Sequence, residues 1–167
     1  MRRRRGTGMM EFRFADESDT ANLLALINQA FSVEAFFHIG TRLDPDRIQP
    51  HMRNGRFLVA ESGGKLVGCV YVELHAEQAY LGLLSVDPAQ QKTGLGRRLV
   101  AAAEEFAREM GAHRMDLTVV NLRTELPPYY SKLGYTIVGE EPIPEQMRAR
   151  VNQPCYFLRM SKALGKG

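Results

Sequence analysis

The sequence predicts a mixed α/β domain in which helices cover both faces of one central sheet. Strand-like and helix-like segments alternate from Glu11 to Lys162. Residues 79–86, AYLGLLSV, carry almost no polar side chain, which is typical of a central strand covered on both faces. A long amphipathic helix follows, with Leu95, Leu99 and Phe106 on one stripe. We therefore expect a mixed sheet of about six to seven strands flanked by helices.

The first half of the chain contains a strand, a helix, a mixed segment and a hairpin. Residues 11–15 are predicted as a strand and residues 16–31 as a helix that Asp16 caps. Residues 32–55 combine aromatic side chains with two prolines, which indicates a broken helix with loops. Two apolar runs then flank Gly63-Gly64, a dipeptide that accepts positive φ, so a β-hairpin is expected.

The second half alternates helices and strands. We predict the long helix at about 93–110, ended by Gly111, a strand at 114–120, a short helix at 125–134, and strands at 135–141 and 154–162.

Charge and hydropathy exclude several functional classes. The net charge is +3, but four of the 22 basic residues lie at Arg2–Arg5. We therefore predict a disordered basic arm at residues 1–9 and one nearly neutral domain at 10–167, whose folded body does not bind nucleic acid. No apolar run reaches the ~20 residues of a membrane span, and no secretory pattern follows the arginines, so we expect no membrane association and a cytoplasmic protein.

The cysteines and histidines predict no metal site. The two cysteines form neither a disulfide framework nor a zinc pattern, and the four histidines share no ligand spacing.

The loop QKTGLG, Gln91–Gly96, lies between the apolar strand and the long helix. The first turn of a helix presents unpaired N–H groups and a partial positive charge, which together bind anions. Gly94 and Gly96 weaken this turn but let the backbone approach a bulky phosphate. Arg97 and Arg98 add positive charge nearby. The arrangement predicts a phosphate cradle, with a ligand-free glycine turn as the structural alternative.

The phosphate ligand is indicated by the spacing. GxxxxGK[ST] does not occur, and the dinucleotide pattern GxGxxG fails at Leu99. Gln91, Gly94 and Gly96 instead match [R/Q]-x-x-G-x-[G/A], and VDP precedes them. Downstream, PYYSKLGY at 128–135 is similar to the xFYxKLGF segment of a last helix and its following strand. On these motifs and the element order of residues 11–163, the chain resembles the GNAT (GCN5-related N-acetyltransferase) superfamily.

The resemblance implies a GNAT fold in which strands 4 and 5 splay apart and acetyl-CoA enters as cosubstrate. The pantetheine arm would pair with the backbone of the fourth strand, and loop N–H groups would hold the pyrophosphate. The implied cofactor-binding residues are Leu84, Ser85, Val86, Gln91, Lys92, Thr93, Gly94, Leu95, Gly96, Arg97 and Asn121.

The implied activity is N-acetyltransfer to a primary amine by direct attack in a ternary complex. The backbone N–H of Val86 would stabilise the oxyanion. Tyr130 would act as general acid toward the leaving sulfur; alternatively it packs as a core aromatic with Tyr129 pointing outward. Glu73, His75 and Glu77 are candidate bases, and a water-mediated deprotonation needs none of them.

The sequence does not determine the identity of the acceptor. The resemblance assigns it to residues 32–51 and 139–155, where Phe36, Phe37 and His38, or Glu140, Glu141 and Glu145, are candidates for contact. A small-molecule amine and a peptide are both compatible. The alternative from another class is a non-catalytic acyl-CoA-binding or sensing module, and a homodimer through the last strands is a further hypothesis.

Overall fold

The computed structural model describes residues 10–165, so the predicted arm lies outside the described residues and the extent of the domain stays a prediction. One seven-stranded sheet has the order β1-β2-β3-β4-β5-β7-β6. Its strands are β1 (Glu11–Phe14), β2 (Arg56–Ser62), β3 (Lys65–His75), β4 (Gln78–Val86), β5 (Arg114–Val120), β6 (Thr136–Pro142) and β7 (Tyr156–Ala163). The α-helices are α1 (Thr20–Ala30), α2 (Pro45–Asn54), α3 (Leu95–Glu109), α4 (Leu126–Lys132) and α5 (Glu145–Arg148). The predicted mixed sheet with flanking helices is confirmed.

Two apolar cores lie on opposite faces of this sheet. Along β2, Phe57 and Val59 belong to the first core, whereas Leu58 and Ala60 belong to the second. Because successive side chains of a strand point to opposite faces, the two cores are separated by the sheet. Buried side chains of α1 and α2 fill the first core, and those of α3 fill the second. Helices therefore cover both faces, as the apolar central strand predicts.

The first helix starts later than predicted. Asp16 caps a 3-10 turn over Glu17–Asp19, and α1 begins at Thr20. The Asp19 carboxylate accepts two hydrogen bonds of 2.9 Å from Arg13, on β1. Hydrogen bonding to this guanidinium lowers the pKa of Asp19, although burial opposes the shift. This pairing of helix start and strand was not readable from local sequence.

The predicted hairpin joins β2 and β3. Gly63 and Gly64 have φ values of 61° and 79°, and adding a Cβ at either position would meet no neighbouring atom. Their positive φ, not crowding, explains the glycines here.

The strands β4 and β5 are parallel and pair only at their first residues. Gln78, Ala79 and Tyr80 lie opposite Arg114, Met115 and Asp116, and no further β4–β5 pairing occurs within residues 10–165. The β3–β4 register shifts near Tyr71, and Leu83 has a φ of 53°. A positive φ at a leucine costs roughly 1–3 kcal/mol. This bulge in β4 accompanies the separation of the two strands.

Candidate functional site

The start of α3 presents a set of backbone N–H groups. Gly94, with a φ of 86°, is the N-cap, and the first helical bond runs from the N–H of Arg98 to the Gly94 carbonyl over 3.1 Å. Within residues 10–165, no N–H of residues 92–97 donates to another residue. A row of such donors beside the positive end of a helix is a site for an anion.

Gly96 lies beneath the side chain of Tyr129. A Cβ at Gly96 would stand 2.7 Å from the Tyr129 hydroxyl oxygen and 3.7 Å from Val86 Cγ2. Tyr129 is 37% exposed, and desolvation of its buried part raises its pKa while Arg97 opposes the shift. Its hydroxyl lies at the tip of α3.

A cavity of about 980 Å³ extends from this helix tip into the gap between β4 and β5. Among the predicted cofactor-binding residues, those lining it are Leu84, Val86, Gln91, Lys92, Gly94, Leu95, Gly96 and Arg97. At the far end it is lined by side chains of α1 and of the segments that follow α1 and β5. One cavity thus joins the loop to the acceptor side of the sheet.

The backbone of Val86 faces this cavity. The N–H of Asp87 donates to Val67 of β3 over 2.8 Å, and Val86 lies opposite Gly68. Successive backbone groups of a strand point to alternate edges, so the N–H of Val86 points away from β3, toward the gap left by β5. Leu84 lies in the bulge, between the paired residues Gly82 and Ser85, and it lines the cavity. The Val86 backbone is in position to bind an extended ligand.

Tyr130 lies on α4 and contributes to the wall of the same cavity. Its side chain is only 7% exposed, and its hydroxyl has no hydrogen-bond partner within residues 10–165. Desolvation is the main cause that raises the pKa of Tyr130, and Tyr129 and Tyr80 add to it. A buried hydroxyl that keeps its proton can donate a hydrogen bond to a ligand atom.

A buried polar network holds α4 in place. Tyr135 donates to Glu104 of α3 over 2.8 Å, and Lys162 of β7 donates to the other Glu104 oxygen over 2.9 Å. Lys162 also donates to the carbonyl of Leu133 over 2.8 Å. Hydrogen bonding to Glu104 and, more strongly, burial raise the pKa of Tyr135. The network ties the end of α4 to both α3 and the sheet.

The acceptor end of the cavity is formed by side chains that the sequence did not single out. The Tyr80 and Thr118 hydroxyl oxygens lie 3.5 Å apart across the gap between β4 and β5. Arg123 Nη1 donates to the buried Glu34 carboxylate over 2.6 Å. Arg42 lies with its guanidinium carbon 5.2 Å from the centre of the Phe31 ring. No local motif marks these residues, because separate segments of the chain contribute them.

Three predicted cofactor-binding residues do not line the cavity. The Ser85 hydroxyl is buried and donates to the Leu83 carbonyl over 3.0 Å, and the Thr93 hydroxyl donates to Gln90. The Asn121 side-chain oxygen accepts from the N–H of Tyr156 over 2.8 Å. The assigned roles of these residues stay predictions.

The candidate bases lie elsewhere. Glu73 accepts from the Tyr71 hydroxyl and pairs with His75 over 2.6 Å. His75 and Glu77 line a separate pocket of about 410 Å³ at the opposite end of β4. None of the three lines the large cavity.

The predicted acceptor regions contribute other residues than those named. Phe37 is fully buried in the protein interior, and Phe36 is exposed. Of residues 139–155, Met147 lines the cavity, whereas Glu140, Glu141 and Glu145 do not; His38, from residues 32–51, does not line it either. No cluster of three potential metal ligands is found in the described part of the chain.

The family is decided by a comparison with known proteins. The model of the acetyltransferase (GNAT) family matches residues 22–135. The chain belongs to the GNAT family. This confirms the predicted family.

The chain is similar in sequence to known acetyltransferases. An amino-acid acetyltransferase from Neisseria meningitidis is 26% identical over 143 residues, which cover 83% of this chain and 30% of that protein. The GNAT chain spans about a third of the length of the curated relatives that it matches.

Solved structures of similar fold include N-acetylglutamate synthase from Neisseria gonorrhoeae complexed with coenzyme A and N-acetyl-glutamate. Its TM-score is 0.71 at 22% identity, covering 95% of this chain and 36% of that chain. The ribosomal-protein-S18-alanine N-acetyltransferase from Escherichia coli has a TM-score of 0.74 at 15% identity, and the match covers 95% of this chain and 96% of that chain. At these sequence identities, the structural similarity supports the assignment of the fold alone. In the described residues of the GNAT chain, no helix is long and apolar enough to cross a membrane.

Proposed function

We propose that this chain is an N-acetyltransferase that moves the acetyl group of acetyl-CoA to a primary amine by direct attack in a ternary complex. The observation that carries the proposal is the single cavity. It connects unpartnered N–H groups at the tip of α3 with the backbone edge of β4 and with the buried Tyr130 hydroxyl. Family membership and the names of the relatives support the same activity.

Acetyl-CoA binds along this cavity from the α3 tip inward. The N–H groups of residues 92–97 receive the pyrophosphate, and Lys92 and Arg97 add positive charge at the same end. The pantetheine amides pair with the free edge of β4 at Leu84 and Val86, because β5 does not occupy that edge. Neither interaction needs the side chain of Ser85 or Asn121.

The reaction begins when the neutral amine attacks the thioester carbonyl carbon. The carbonyl oxygen gains negative charge, and the Val86 N–H stabilises it. As the carbon–sulfur bond breaks, the sulfur takes the bonding electron pair and Tyr130 donates its proton to that sulfur. The nitrogen loses a proton to solvent, and solvent reprotonates Tyr130. The products are the acetylated amine and free CoA thiol.

The proposal is tested by measuring acetyl-CoA-dependent stabilisation and thiol release on the same protein. We expect acetyl-CoA to raise Tm and a panel of primary amines to trigger thiol release. Stabilisation without release by any amine would instead favour the non-catalytic acyl-CoA-binding module. Absence of stabilisation would contradict both.

A homodimer is a separate hypothesis. β6 is an edge strand of the sheet, and Ile137 and Val138 on it are 54% and 51% exposed. Pairing of this edge with a second copy would cover both the open backbone groups and these side chains. Light scattering of the wild type and of Ile137→Lys tests it: an unchanged monomeric mass for both would contradict the dimer. The cytoplasmic location likewise stays a proposal.

A further inference from the structure

Glu34 is a buried carboxylate in the wall of the large cavity. It lies in the 3-10 segment Phe31–Phe36 after α1 and is 5% exposed. Its Oε2 accepts from Arg123 over 2.6 Å, whereas its Oε1 has no hydrogen-bond partner within residues 10–165. A buried charged oxygen without a partner is costly, so its presence in a cavity points to a ligand that donates to it.

The charges around Glu34 are not balanced. Arg123 also donates to Glu125 over 2.8 Å, so one guanidinium serves two carboxylates. This cluster keeps one formal negative charge at the cavity wall. A cationic group on the acceptor, such as an ammonium, would complete it.

Arg42 supplies the opposite charge in the same cavity. It lines the cavity and forms no ion pair and no side-chain hydrogen bond with any residue of 10–165. Its guanidinium lies over the ring of Phe31, 5.2 Å from the centroid. It is half-buried, so its donors remain available to an anionic ligand group.

The spacing of the two charges follows from the helix that carries Glu34. In a 3-10 helix, residues three apart lie one above the other, about 6 Å along the axis. Phe31 and Glu34 have this spacing, and Arg42 lies against Phe31. Glu34 and the Phe31 ring that Arg42 contacts are therefore one 3-10 turn apart along the backbone, and Glu34, Phe31 and Arg42 all line the cavity.

We propose that the acceptor is a zwitterion, an amine that carries a carboxylate a few bonds away, with its ammonium bound to Glu34 and its carboxylate to Arg42. This inference rests on the proposed function, because it names the substrate class of that site. Free amino acids are therefore the expected class of acceptor. A polyamine would place a second cation beside Arg42, and a peptide N-terminus would have an amide where the carboxylate should be.

The experiment measures acceptor binding by calorimetry, with and without saturating CoA. The ligands are the twenty free amino acids, their primary amides and their decarboxylated amines. We expect one group of amino acids to bind at least about tenfold more tightly than the matched amides and amines, as loss of a charged hydrogen bond predicts. Equal binding of amides or amines, or no binding by any amino acid, would overturn the proposal.

Two variants assign the charges. Arg42→Gln should weaken the preferred amino acid about tenfold or more and leave the decarboxylated amine unchanged. Glu34→Gln should weaken both ligands. Arg53→Gln and Glu109→Gln, at exposed positions outside the cavity, are the matched controls and should change neither.

The outcomes separate this inference from the proposed function. Should CoA bind but Arg42→Gln leave amino-acid binding unchanged, the zwitterion is wrong and the acetyltransferase stands. Should CoA fail to bind, the proposed function fails, while titrations without CoA still decide the zwitterion. If Glu34→Gln unfolds, Arg42→Gln carries the test alone, because the half-buried Arg42 side chain forms no ion pair or hydrogen bond and loses only its contact with the Phe31 ring.

Discussion

The two ends of the cavity are built in different ways. At the α3 tip, consecutive backbone N–H groups of one loop form the site, and glycine leaves them accessible. At the acceptor end, Glu34, Arg42, Tyr80 and Arg123 come from four separate segments and act through side chains. A site made of consecutive backbone groups leaves a motif in the sequence, whereas a site assembled from distant side chains leaves none.

This difference has a chemical consequence. Backbone donors add no side-chain selectivity, since every peptide unit offers the same N–H. Side chains set charge and shape, and they determine which acceptor enters. The two ends meet at Tyr130 and Val86, where the proposed transfer occurs.

The largest expected effect is at this meeting point. Removing one hydroxyl with Tyr130→Phe should lower kcat by about 10³-fold and leave the affinity for acetyl-CoA unchanged, since a general acid contributes roughly 10²–10⁴-fold. Steady-state kinetics and calorimetry measure the two quantities. Tyr156→Phe, at an exposed position, is the control. A parallel loss of affinity would mean that Tyr130 binds cofactor instead of donating a proton.

The same tyrosine makes a pH prediction. Burial raises the pKa of Tyr130 above its ordinary value near 10, so the group stays protonated at neutral and moderately alkaline pH. The activity of the wild type should therefore show no loss from Tyr130 deprotonation up to about pH 10. A descending limb near pH 8 that Tyr130→Phe abolishes would contradict this.

The next effect concerns the cofactor end alone. Gly96→Val should weaken acetyl-CoA about 10²-fold by covering N–H donors worth roughly 1.5–3 kcal/mol each to a charged group. Calorimetry measures it, and Gly165→Val, where a Cβ meets no atom, is the control. The new side chain also meets the Tyr129 hydroxyl. The double variant Gly96→Val/Tyr129→Phe therefore distinguishes loss of access to the N–H donors from a clash with Tyr129. Restored affinity would assign the glycine to Tyr129 packing and not to the pyrophosphate.

A smaller effect is expected from Glu104, whose network holds α4 and with it Tyr130 in the cavity wall. Glu104→Gln should lower the free energy of unfolding by about 2 kcal/mol, because Lys162 loses a buried charged partner. Since α4 carries Tyr130, kcat should fall more than acetyl-CoA affinity. Urea unfolding and kinetics measure both. The exposed neighbour Glu105→Gln should change stability by less than about 1 kcal/mol, and an equal effect there would contradict the assigned role of the network.

The smallest effect lies far from the cavity. Arg13 lowers the pKa of Asp19, so this pairing stabilises the fold above the unfolded pKa near 3.8 and is lost as pH falls through the lower folded pKa. Asp19→Asn should cost about 1 kcal/mol at pH 7, a figure discounted for the partial exposure of Arg13, and less near pH 2. Urea unfolding at both pH values measures it. A change in acetyl-CoA affinity would mean that the Arg13–Asp19 pair also influences the cofactor end of the cavity.

Much of the fold was predictable because its signals are local. The hairpin at Gly63-Gly64, the apolar β4 and the amphipathic α3 each follow from a pattern within about a dozen residues. The predicted start of α1 was wrong. Asp19, just before α1, accepts a hydrogen bond from Arg13 of β1, and local sequence does not show this contact. The bulge at Leu83 was also beyond prediction, since a leucine gives no sign of a positive φ.

The candidate site divides in the same way. The loop residues and Tyr130 belong to motifs, and all of them except Thr93 line the cavity. Glu34 and Arg123 are 89 positions apart, and their pairing depends on the path of the chain between them. The glycines were predicted to expose the backbone, but the Tyr129 hydroxyl above Gly96 required the tertiary contact between α4 and α3.

The sequence by itself determined the main elements, the glycine loop before α3 and the family, because each depends on neighbouring residues whose spacing sets backbone conformation. Only the tertiary structure decided where β4 and β5 part, how Tyr130 is buried, and which charges face the acceptor. These depend on contacts between distant segments, and such contacts form only when the two apolar cores bring the segments together on the sheet.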